Sequence, residues 1–353
     1  NLTSAQLRFN FVKTDKTVSF TNIGTYLDDA ELVPLNVPLK AEPSNIAEIK
    51  TELLSRFVAV NYDKYAGNDW QSSLGLPETV EILTDKGETG SLKVTWDYSQ
   101  LDVTKCGKYT LVGTLDDSAY PNPKGLTVQQ NIYIRKVENL FTNSGFEEGK
   151  TGWSTYGDKT KLTPAAEGKY AIGLKSSKSN NSDYNMVFPN TTHQKQLANL
   201  VAAAGAGQYY ISAQARDFLY DDETAHTDAL SVYIKTSYKT DANAKSWSFL
   251  GNTQEVTLSS DRYVTTGGIF DVTGEETAIY PVLYLKSATK FASQWILADD
   301  MQFLPINVLI PKGEEPADIV EVTSEIPVRA VVQNYDKYVG ANWQESLGLP
   351  AKV

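Results

Sequence analysis

A twenty-residue stretch occurs twice in this chain, and this repeat constrains the fold more than any other sequence feature. Residues 61–80 and 334–353 are identical at fourteen of the twenty positions. A shorter echo pairs residues 26–34 with 296–305 and repeats an Asp-Asp dipeptide within a strand-like run. Because the spacing far exceeds the roughly 20–50 residues of a solenoid unit, the repeating element is a set of whole domains. We therefore expect this chain to be part of a tandem array of domains, with its first and last residues falling inside domains.

The composition is that of a soluble chain and argues against several classes of partner. The 353 residues suggest two or three domains, with 41% apolar and 21% charged residues. The net charge of −11 argues against nucleic acid and anionic membranes, since both require clustered Lys and Arg. The single cysteine, Cys106, cannot form an intramolecular disulfide and excludes a cysteine-rich metal site.

Short alternating strands with regular turns predict a β-sandwich in residues 77–135. The four runs read LPETVEIL, GSLKVTWDY, GKYTLVGTL and LTVQQNIYIRKV, and turn residues separate them. Two further strands are predicted upstream, at 46–54 and 55–62. Residues 94–97 (VTWD) and 107–114 (GKYTLVGT) make this stretch similar to bacterial Ig-like modules. Such modules are spacers, so the resemblance implies no active site here.

Residues 136–306 form a different kind of β-domain. Alternating runs predict strands throughout, and only residues 193–204 have a helical pattern, which ends at Gly205. This pattern favours a two-sheet jelly roll. The opening NLFTNSGFEEGKTGW, the strand GKYAIGLK and the closing ILADDMQF resemble the carbohydrate-binding modules of the family 4/9/16/22 type. The resemblance implies a β-sandwich that binds a glycan, without saying which one.

The repeat and the two resemblances together predict an all-β chain of tandem β-sandwich modules. Its parts are the C-terminal strands of a preceding carbohydrate-binding-like module (1–35), a linker and Ig-like module (36–135), a carbohydrate-binding jelly roll (136–306) and the first half of a second Ig-like module (307–353). Within the first and last parts, strands are predicted at 6–13, 25–34 and 319–326.

The closing strand of the jelly roll contains a candidate metal ligand. Alternation places Asp299 and Phe303 on the inward face, where a bare carboxylate is costly. Relatives of these modules often hold a structural calcium between the GFE segment and the Asp of the last strand. Carried over by position, the resemblance implies Ca2+ ligands from Glu147, Asp299 and backbone carbonyls near Lys169. The alternative is a carboxylate that accepts backbone N–H bonds and holds no metal.

Candidate glycan contacts come from aromatic and polar side chains, because sugars offer both C–H faces and hydroxyls. In the strand at 208–217, Tyr209 and Ile211 begin a core row, and the alternate row is polar. Similar modules place ligand contacts on such a face. The candidates are Tyr184, Tyr210, Gln214, Arg216, Trp247, Tyr284 and Trp295. For each aromatic ring the alternative is core packing, which is the role we assign to Trp153.

The repeated motif NYDKYxGxxW has two interpretations. Its three aromatic residues, with Asp and Lys among them, could form a binding loop. We favour the other interpretation, in which the motif packs the Ig-like module against its neighbour and fixes the angle between them.

The sequence contains few indications of catalysis. His193 and His226 do not lie in a known catalytic or metal-binding spacing, and no nucleophile or phosphate-binding motif is present. The sequence therefore predicts a non-catalytic polysaccharide-binding and spacer region of a multi-modular glycoside hydrolase, secreted or on the cell surface of a bacterium. One expected partner is a polysaccharide or oligosaccharide of the plant cell wall, for example β-galactan or xylan. The other is a catalytic domain in the same parent chain. Two alternatives stay open: an adhesive repeat without glycan affinity, and a jelly-roll enzyme that degrades polysaccharide.

Overall fold

The computed structural model describes residues 43–155, 158–177, 183–219, 229–288, 295–317 and 329–349. The chain divides into two compact units, Asn1–Pro43 and Ser44–Val353, and every element below belongs to the second. The strands predicted at 6–13, 25–34 and 319–326 lie outside the described residues. Within the described ranges, no helix is both long and apolar enough to cross a membrane.

The first module, residues 44–137, is a β-sandwich with two short helices inserted after its second strand. Its elements are β1 (Ile46–Ile49), β2 (Arg56–Ala59), α1 (Asp63–Ala66), α2 (Trp70–Ser73), β3 (Thr79–Thr84), β4 (Thr89–Asp97), β5 (Gly107–Leu115) and β6 (Thr127–Arg135). The first half of β4 pairs with β3, whereas its second half, Val94–Asp97, pairs with β5. The strand thus passes from one layer to the other. The four strands predicted between 77 and 135 are confirmed.

The second module, residues 138–310, is a two-layer sandwich with one long helix. Its elements are β7 (Trp153–Thr155), β8 (Asp158–Leu162), β9 (Ala171–Lys175), β10 (Asp183–Pro189), α3 (Thr191–Ala204), β11 (Gly207–Asp217), β12 (Leu230–Lys239), β13 (Ser248–Asn252), β14 (Val256–Thr257), β15 (Val264–Val272), β16 (Ala278–Ser287) and β17 (Trp295–Leu309). The first layer has the order β8-β9-β17-β11-β15, and the second has the order β7-β10-β16-β12-β13, with β14 also on β12. The predicted fold class is confirmed.

Alternating apolar residues place the core between these two layers. The row predicted on β11 is buried, from Tyr209 to Ala215, and it faces the buried Ile234 and Leu283 of the opposite layer. Trp153 joins the same core and is 4% exposed, as predicted.

The helix α3 closes one end of this core. The side chain of Asn190 caps its first turn by accepting a 3.0 Å hydrogen bond from the His193 N–H. At its other end, the Gly205 N–H donates to the Val201 carbonyl at 2.9 Å, and the Tyr209 hydroxyl donates to the Gly205 carbonyl at 2.6 Å. The helix predicted at 193–204 is therefore confirmed.

The two modules share one continuous sheet. Strand β2 lies between β6, to which it is parallel, and the last residues of β17, Asn307–Leu309, to which it is antiparallel. The boundary predicted between residues 306 and 307 falls inside β17. A second core, which includes Val58 and Ile134 of the first module and Ile306 of the second, fills the joint.

The terminal segment, residues 329–349, repeats the local structure that follows β2. Its helices α4 (Asp336–Val339) and α5 (Trp343–Ser346) correspond to α1 and α2 of the first module.

Candidate functional site

The outer side of the second layer of the second module carries an open aromatic surface. On β12 and β16, the residues that point inward are buried apolar side chains, whereas Tyr233 and Tyr284 point outward and are half-buried. We call this surface the aromatic face and define it by Asp183, Asn185, Phe188, Ser231, Tyr233, Lys235, Lys239, Trp247, Phe249, Glu255, Tyr280, Tyr284 and Lys286.

Two tyrosines form the centre of the aromatic face. Tyr233 and Tyr284 are direct cross-strand partners, and their rings stack with centroids 5.2 Å apart and planes inclined by 13°. Asn185 of β10 is the partner of Tyr284 on the other side. Burial, with a further contribution from Asp183, raises the pKa of Tyr233 to about 12 and raises that of Tyr284 as well. Both hydroxyls are therefore neutral and able to donate a hydrogen bond.

Charged side chains border this tyrosine pair. Glu255 accepts a hydrogen bond of 2.6 Å from the Ser231 hydroxyl and forms a 2.7 Å ion pair with Lys286. Lys286 is in turn the cross-strand partner of Asp183. The hydrogen bonds to Lys286 and Ser231 lower the pKa of Glu255, so the border carries two carboxylates beside one ammonium. The carboxylates can accept hydrogen bonds from the hydroxyls of a bound ligand, and the ammonium can donate to them.

A second aromatic cluster lies toward the other end of the same strands. Tyr280 contacts Phe188 edge-to-face at 5.3 Å and Trp247 at 5.0 Å, with the Lys239 Nζ 4.8 Å from the Trp247 ring. Phe249 stands beside this cluster and is 60% exposed. Tyr280 and Tyr284 are four residues apart on β16, which separates the two clusters by about 13 Å. The aromatic face therefore offers two flat platforms in one line.

The structure brings two of the seven predicted contacts onto the aromatic face. Trp247 and Tyr284 lie there, whereas Tyr184 alternates to the inward side of β10 and packs against the core. Trp295, at the start of β17 in the first layer, is 6% exposed, with the Lys175 Nζ 5.2 Å from its ring.

The three predicted contacts on β11 lie on the outer side of the opposite layer. Tyr210 packs against Tyr65 of the first module, with ring centroids 5.0 Å apart. The Gln214 amide donates to Asp300, and Arg216 donates to the Ser260 carbonyl. These three side chains are therefore in contact with protein groups, and they do not adjoin the aromatic face.

Sequence reasoning missed Tyr233, Tyr280 and Phe249. The signal for Tyr233 was present, because Leu230, Val232 and Ile234 fix the inward phase of β12. For β16 the phase was ambiguous in sequence, since Tyr280–Lys286 mixes apolar and aromatic residues on both faces.

The two carboxylates predicted to bind calcium converge on one loop. The Glu147 Oε1 accepts hydrogen bonds from the N–H groups of Lys169 and Tyr170, at 2.6 and 2.9 Å. The Asp299 Oδ2 accepts from Ala166 and Glu167, at 2.7 and 3.1 Å. Lys169 contributes a backbone N–H here, and its ammonium lies 4.9 Å from the Tyr170 ring.

This arrangement resembles the metal-free alternative, yet it also offers oxygen ligands of the type that Ca2+ prefers. Asp299 is fully buried, and burial raises its pKa to about 6 against the opposing backbone N–H bonds. Gly168 has φ 64°, and a Cβ atom there would collide with Glu147. Among the described residues, no group of three or more acidic, His or Cys side chains is placed to hold a metal. An ion here would need backbone carbonyls as further ligands, and calcium binding stays a prediction.

The repeated motif forms the joint between the modules. Tyr62 is fully buried, and its hydroxyl donates to the side-chain oxygen of Gln208 at 2.6 Å and lies 3.0 Å from the Ser73 carbonyl. The Asn307 amide donates to Gln208 and to the Leu74 carbonyl, both at 3.1 Å. The favoured interpretation, packing of one module against its neighbour, is confirmed for the first copy.

Comparison with known proteins gives a family for part of the first module. Residues 66–118 match the model of the bacterial Ig-like domain (group 4). No curated protein matches the chain.

Solved structures similar to this chain include several carbohydrate-binding modules. The xylan-binding CBM22-1 domain of Paenibacillus barcinonensis Xyn10C is 17% identical, covers 48% of this chain and 96% of its own, and has a TM-score of 0.32. TmCBM61, solved in complex with β-1,4-galactotriose, is 14% identical, with coverages of 47% and 97% and a TM-score of 0.29. The C-terminal family 22 module of Clostridium thermocellum Xyn10B is 13% identical, with coverages of 49% and 94% and a TM-score of 0.30.

Proposed function

We propose that the second module binds a polysaccharide on its aromatic face and performs no chemistry on it. The observation that carries this proposal is the stacked pair Tyr233 and Tyr284, which is partly exposed on the outer side of the second layer and bordered by Asp183, Glu255 and Lys286. Aromatic rings can pack on the C–H faces of sugars while charged and amide groups bond the hydroxyls, which is the combination of apolar and polar contacts found in ligand sites.

The shape of the aromatic face suits an extended ligand better than a small one. Its two clusters, around Tyr284 and around Tyr280, follow the direction of β16 and are open along one side. A polymer chain can contact both clusters at once, whereas a single sugar can contact only one. Contacts of this kind are individually weak, and several modules in one parent chain would raise the effective concentration of sites.

In the parent chain, we propose that this region holds a glycoside hydrolase near a plant cell-wall glycan such as β-galactan or xylan. The proposal rests on the resemblance of the opening, GKYAIGLK and closing segments to carbohydrate-binding modules and on the Ig-like spacer beside them. A secreted or cell-surface bacterial protein is the setting in which such a combination can reach a polysaccharide.

Affinity electrophoresis of the whole chain tests the proposal directly. We expect gels that contain xylan or β-1,4-galactan to retard the chain, and Tyr233→Ala and Tyr284→Ala to restore most of its mobility. Tyr338→Ala removes a tyrosine that is 78% exposed in the terminal segment, so it serves as the control and should leave retardation unchanged.

A structural role without glycan affinity is the second candidate, and the shared sheet favours it. Strand β2 ties the two modules through backbone hydrogen bonds to both β6 and β17, which suits a stiff spacer. If no plant or host glycan retards the chain, the spacer role is favoured and glycan binding is rejected.

A further inference from the structure

The terminal segment repeats the residues by which the first module contacts the second module through hydrogen bonds. Arg56, Tyr62 and Leu74 have Arg329, Tyr335 and Leu347 as their counterparts. In the first copy these three positions contact the second module: Tyr62 bonds Gln208, the Arg56 guanidinium donates to the Asn307 side-chain oxygen at 3.3 Å, and the Leu74 carbonyl accepts from the Asn307 amide.

Two hydrogen bonds of the first copy are already present in the terminal segment, although residues 329–332 do not form a strand as Arg56–Ala59 do. Arg329 donates to the Gly348 carbonyl at 3.0 Å, as Arg56 does to Gly75 at 2.9 Å. The Tyr335 hydroxyl lies 3.3 Å from the Ser346 carbonyl, as that of Tyr62 lies 3.0 Å from Ser73. The positions of Arg329 and Tyr335 relative to the following turn are therefore preorganised, which favours affinity.

The two copies also differ in burial. Val58 and Ala59 are fully buried in the first copy, in a cluster that contains Ile132 and Ile134 of their own module as well as Ile306 of the second. Their counterparts Val331 and Val332 are 50% and 61% exposed. Tyr338 and Leu349 are likewise 78% and 57% exposed. A groove lined by Arg329, Val331, Tyr335 and Leu347 opens at this surface, at the position that Gln208 and Asn307 occupy in the first copy.

We infer that the terminal segment is a docking surface for a module of the same type as residues 138–310, joined to it as those residues are joined to the first copy. The groove accepts the paired Gln and Asn carboxamides at positions 208 and 307. The tyrosine at position 210 packs on Tyr338, as Tyr210 packs on Tyr65. This inference does not depend on glycan binding.

A chain extended at its C-terminus tests the inference. Val353 corresponds to Val80, so residues 81–310 are appended directly after Val353. The terminal segment is then followed by the same sequence that follows its first copy. Amide hydrogen exchange in residues 329–349 is then compared between this chain and a shorter extension by residues 81–137 alone, which completes the first-type module without adding a second-type module. We expect exchange to be at least tenfold slower in the longer extension, since covered backbone opens more rarely.

Two variants of the extended chain sharpen the result. Replacing the appended copy's counterpart of Asn307 by Ala should return exchange in 329–349 toward the rate of the shorter extension. Lys337→Ala is the matched control, because its counterpart Lys64 stays exposed in the first copy. This control should leave the slowed exchange unchanged.

Three results would overturn the inference. The first is unchanged exchange in 329–349 while the appended residues are as protected as the original ones. The second is an appended copy that stays unfolded beside a folded original, since the terminal segment would then fail to replace residues 56–76. The third is protection that rises with concentration in the natural chain, which would assign the surface to self-association.

Discussion

The hydroxyl of Tyr62 in the first module lies 2.6 Å from the side-chain oxygen of Gln208 in the second. Tyr62 belongs to the core that fills the joint, where burial raises its pKa to about 12. A single phenolic O–H thus links the repeated motif to strand β11. The joint is therefore part of the folded core and should unfold with it.

Removing this hydroxyl should destabilise the joint. Tyr62→Phe removes the donor to the Gln208 oxygen, which keeps the Asn307 amide as its partner, and a typical intramolecular hydrogen bond contributes about 0.5–1.5 kcal/mol to stability. We expect a lower free energy of unfolding in denaturant titrations. Tyr335→Phe makes the same change where the side chain is partly exposed, and it should have little effect. Equal losses in the two variants would contradict the role of Tyr62 in the joint.

Calcium should stabilise the second module if Glu147 and Asp299 bind it. A ligand present at 100 times its Kd adds about 2.7 kcal/mol to the free energy of unfolding. We expect Ca2+ to raise the Tm, a chelator to reverse the increase, and Glu147→Gln to abolish it. Glu148→Gln alters the neighbouring exposed carboxylate and is the control. A Tm that is the same with Ca2+ and with chelator would leave the metal-free arrangement as the correct one.

Acid should weaken the second module through His193. Its Nδ1 lies 3.0 Å from the Gly152 carbonyl, and its Nε2 accepts from the Thr142 N–H, so the neutral ring is satisfied at both nitrogens. Burial lowers the pKa of His193, and the unfolded chain therefore takes up a proton first as the pH falls. Stability from this group is complete above the ordinary histidine pKa of about 6.5 and is lost below it.

The measurement that isolates this effect compares pH profiles. Unfolding free energies are determined between pH 8 and pH 5 for the natural chain and for His193→Gln. The natural chain should lose more stability over this range than the variant does. Parallel profiles would show that His193 is not held in the neutral form.

Long oligosaccharides should contact both aromatic clusters, whereas short ones should contact only one. Trp247→Ala removes one platform and leaves the Tyr233–Tyr284 stack intact. We expect this variant to weaken binding of long oligosaccharides and to leave short ones unaffected, because only a long chain spans the roughly 13 Å between clusters. Titration calorimetry over a series of chain lengths checks this. A uniform loss at every length would argue against two separate platforms.

Much of the fold could be predicted from local patterns. The strands of residues 77–135 and the core row of β11 follow from alternation, and Gly205 marks the end of α3. The continuous sheet could not be predicted in this way. The pairing of Arg56–Val58 with Asn307–Leu309 joins residues about 250 positions apart, and backbone hydrogen bonds of this kind leave no local signature.

The aromatic face is harder to predict than the fold. Alternation on β11 separates its core row from its polar row, but it does not say what the polar row meets in the folded chain. Tyr210 packs on Tyr65 of the first module, whereas Tyr233 and Tyr284 stack on the outer side of the other layer. Phe249 on β13 lies in a sequence without clear alternation and gave no signal.

Titration of the natural chain and of Tyr284→Ala with a retarding polysaccharide is the most direct test of the central claim. The account predicts measurable binding by the natural chain and a loss of at least about tenfold in the variant, since a central aromatic anchor contributes more than about 1.4 kcal/mol. Thermal unfolding of the variant should stay close to that of the natural chain. Undiminished affinity in Tyr284→Ala, or binding by no polysaccharide at all, would contradict the assignment of the aromatic face as a glycan site.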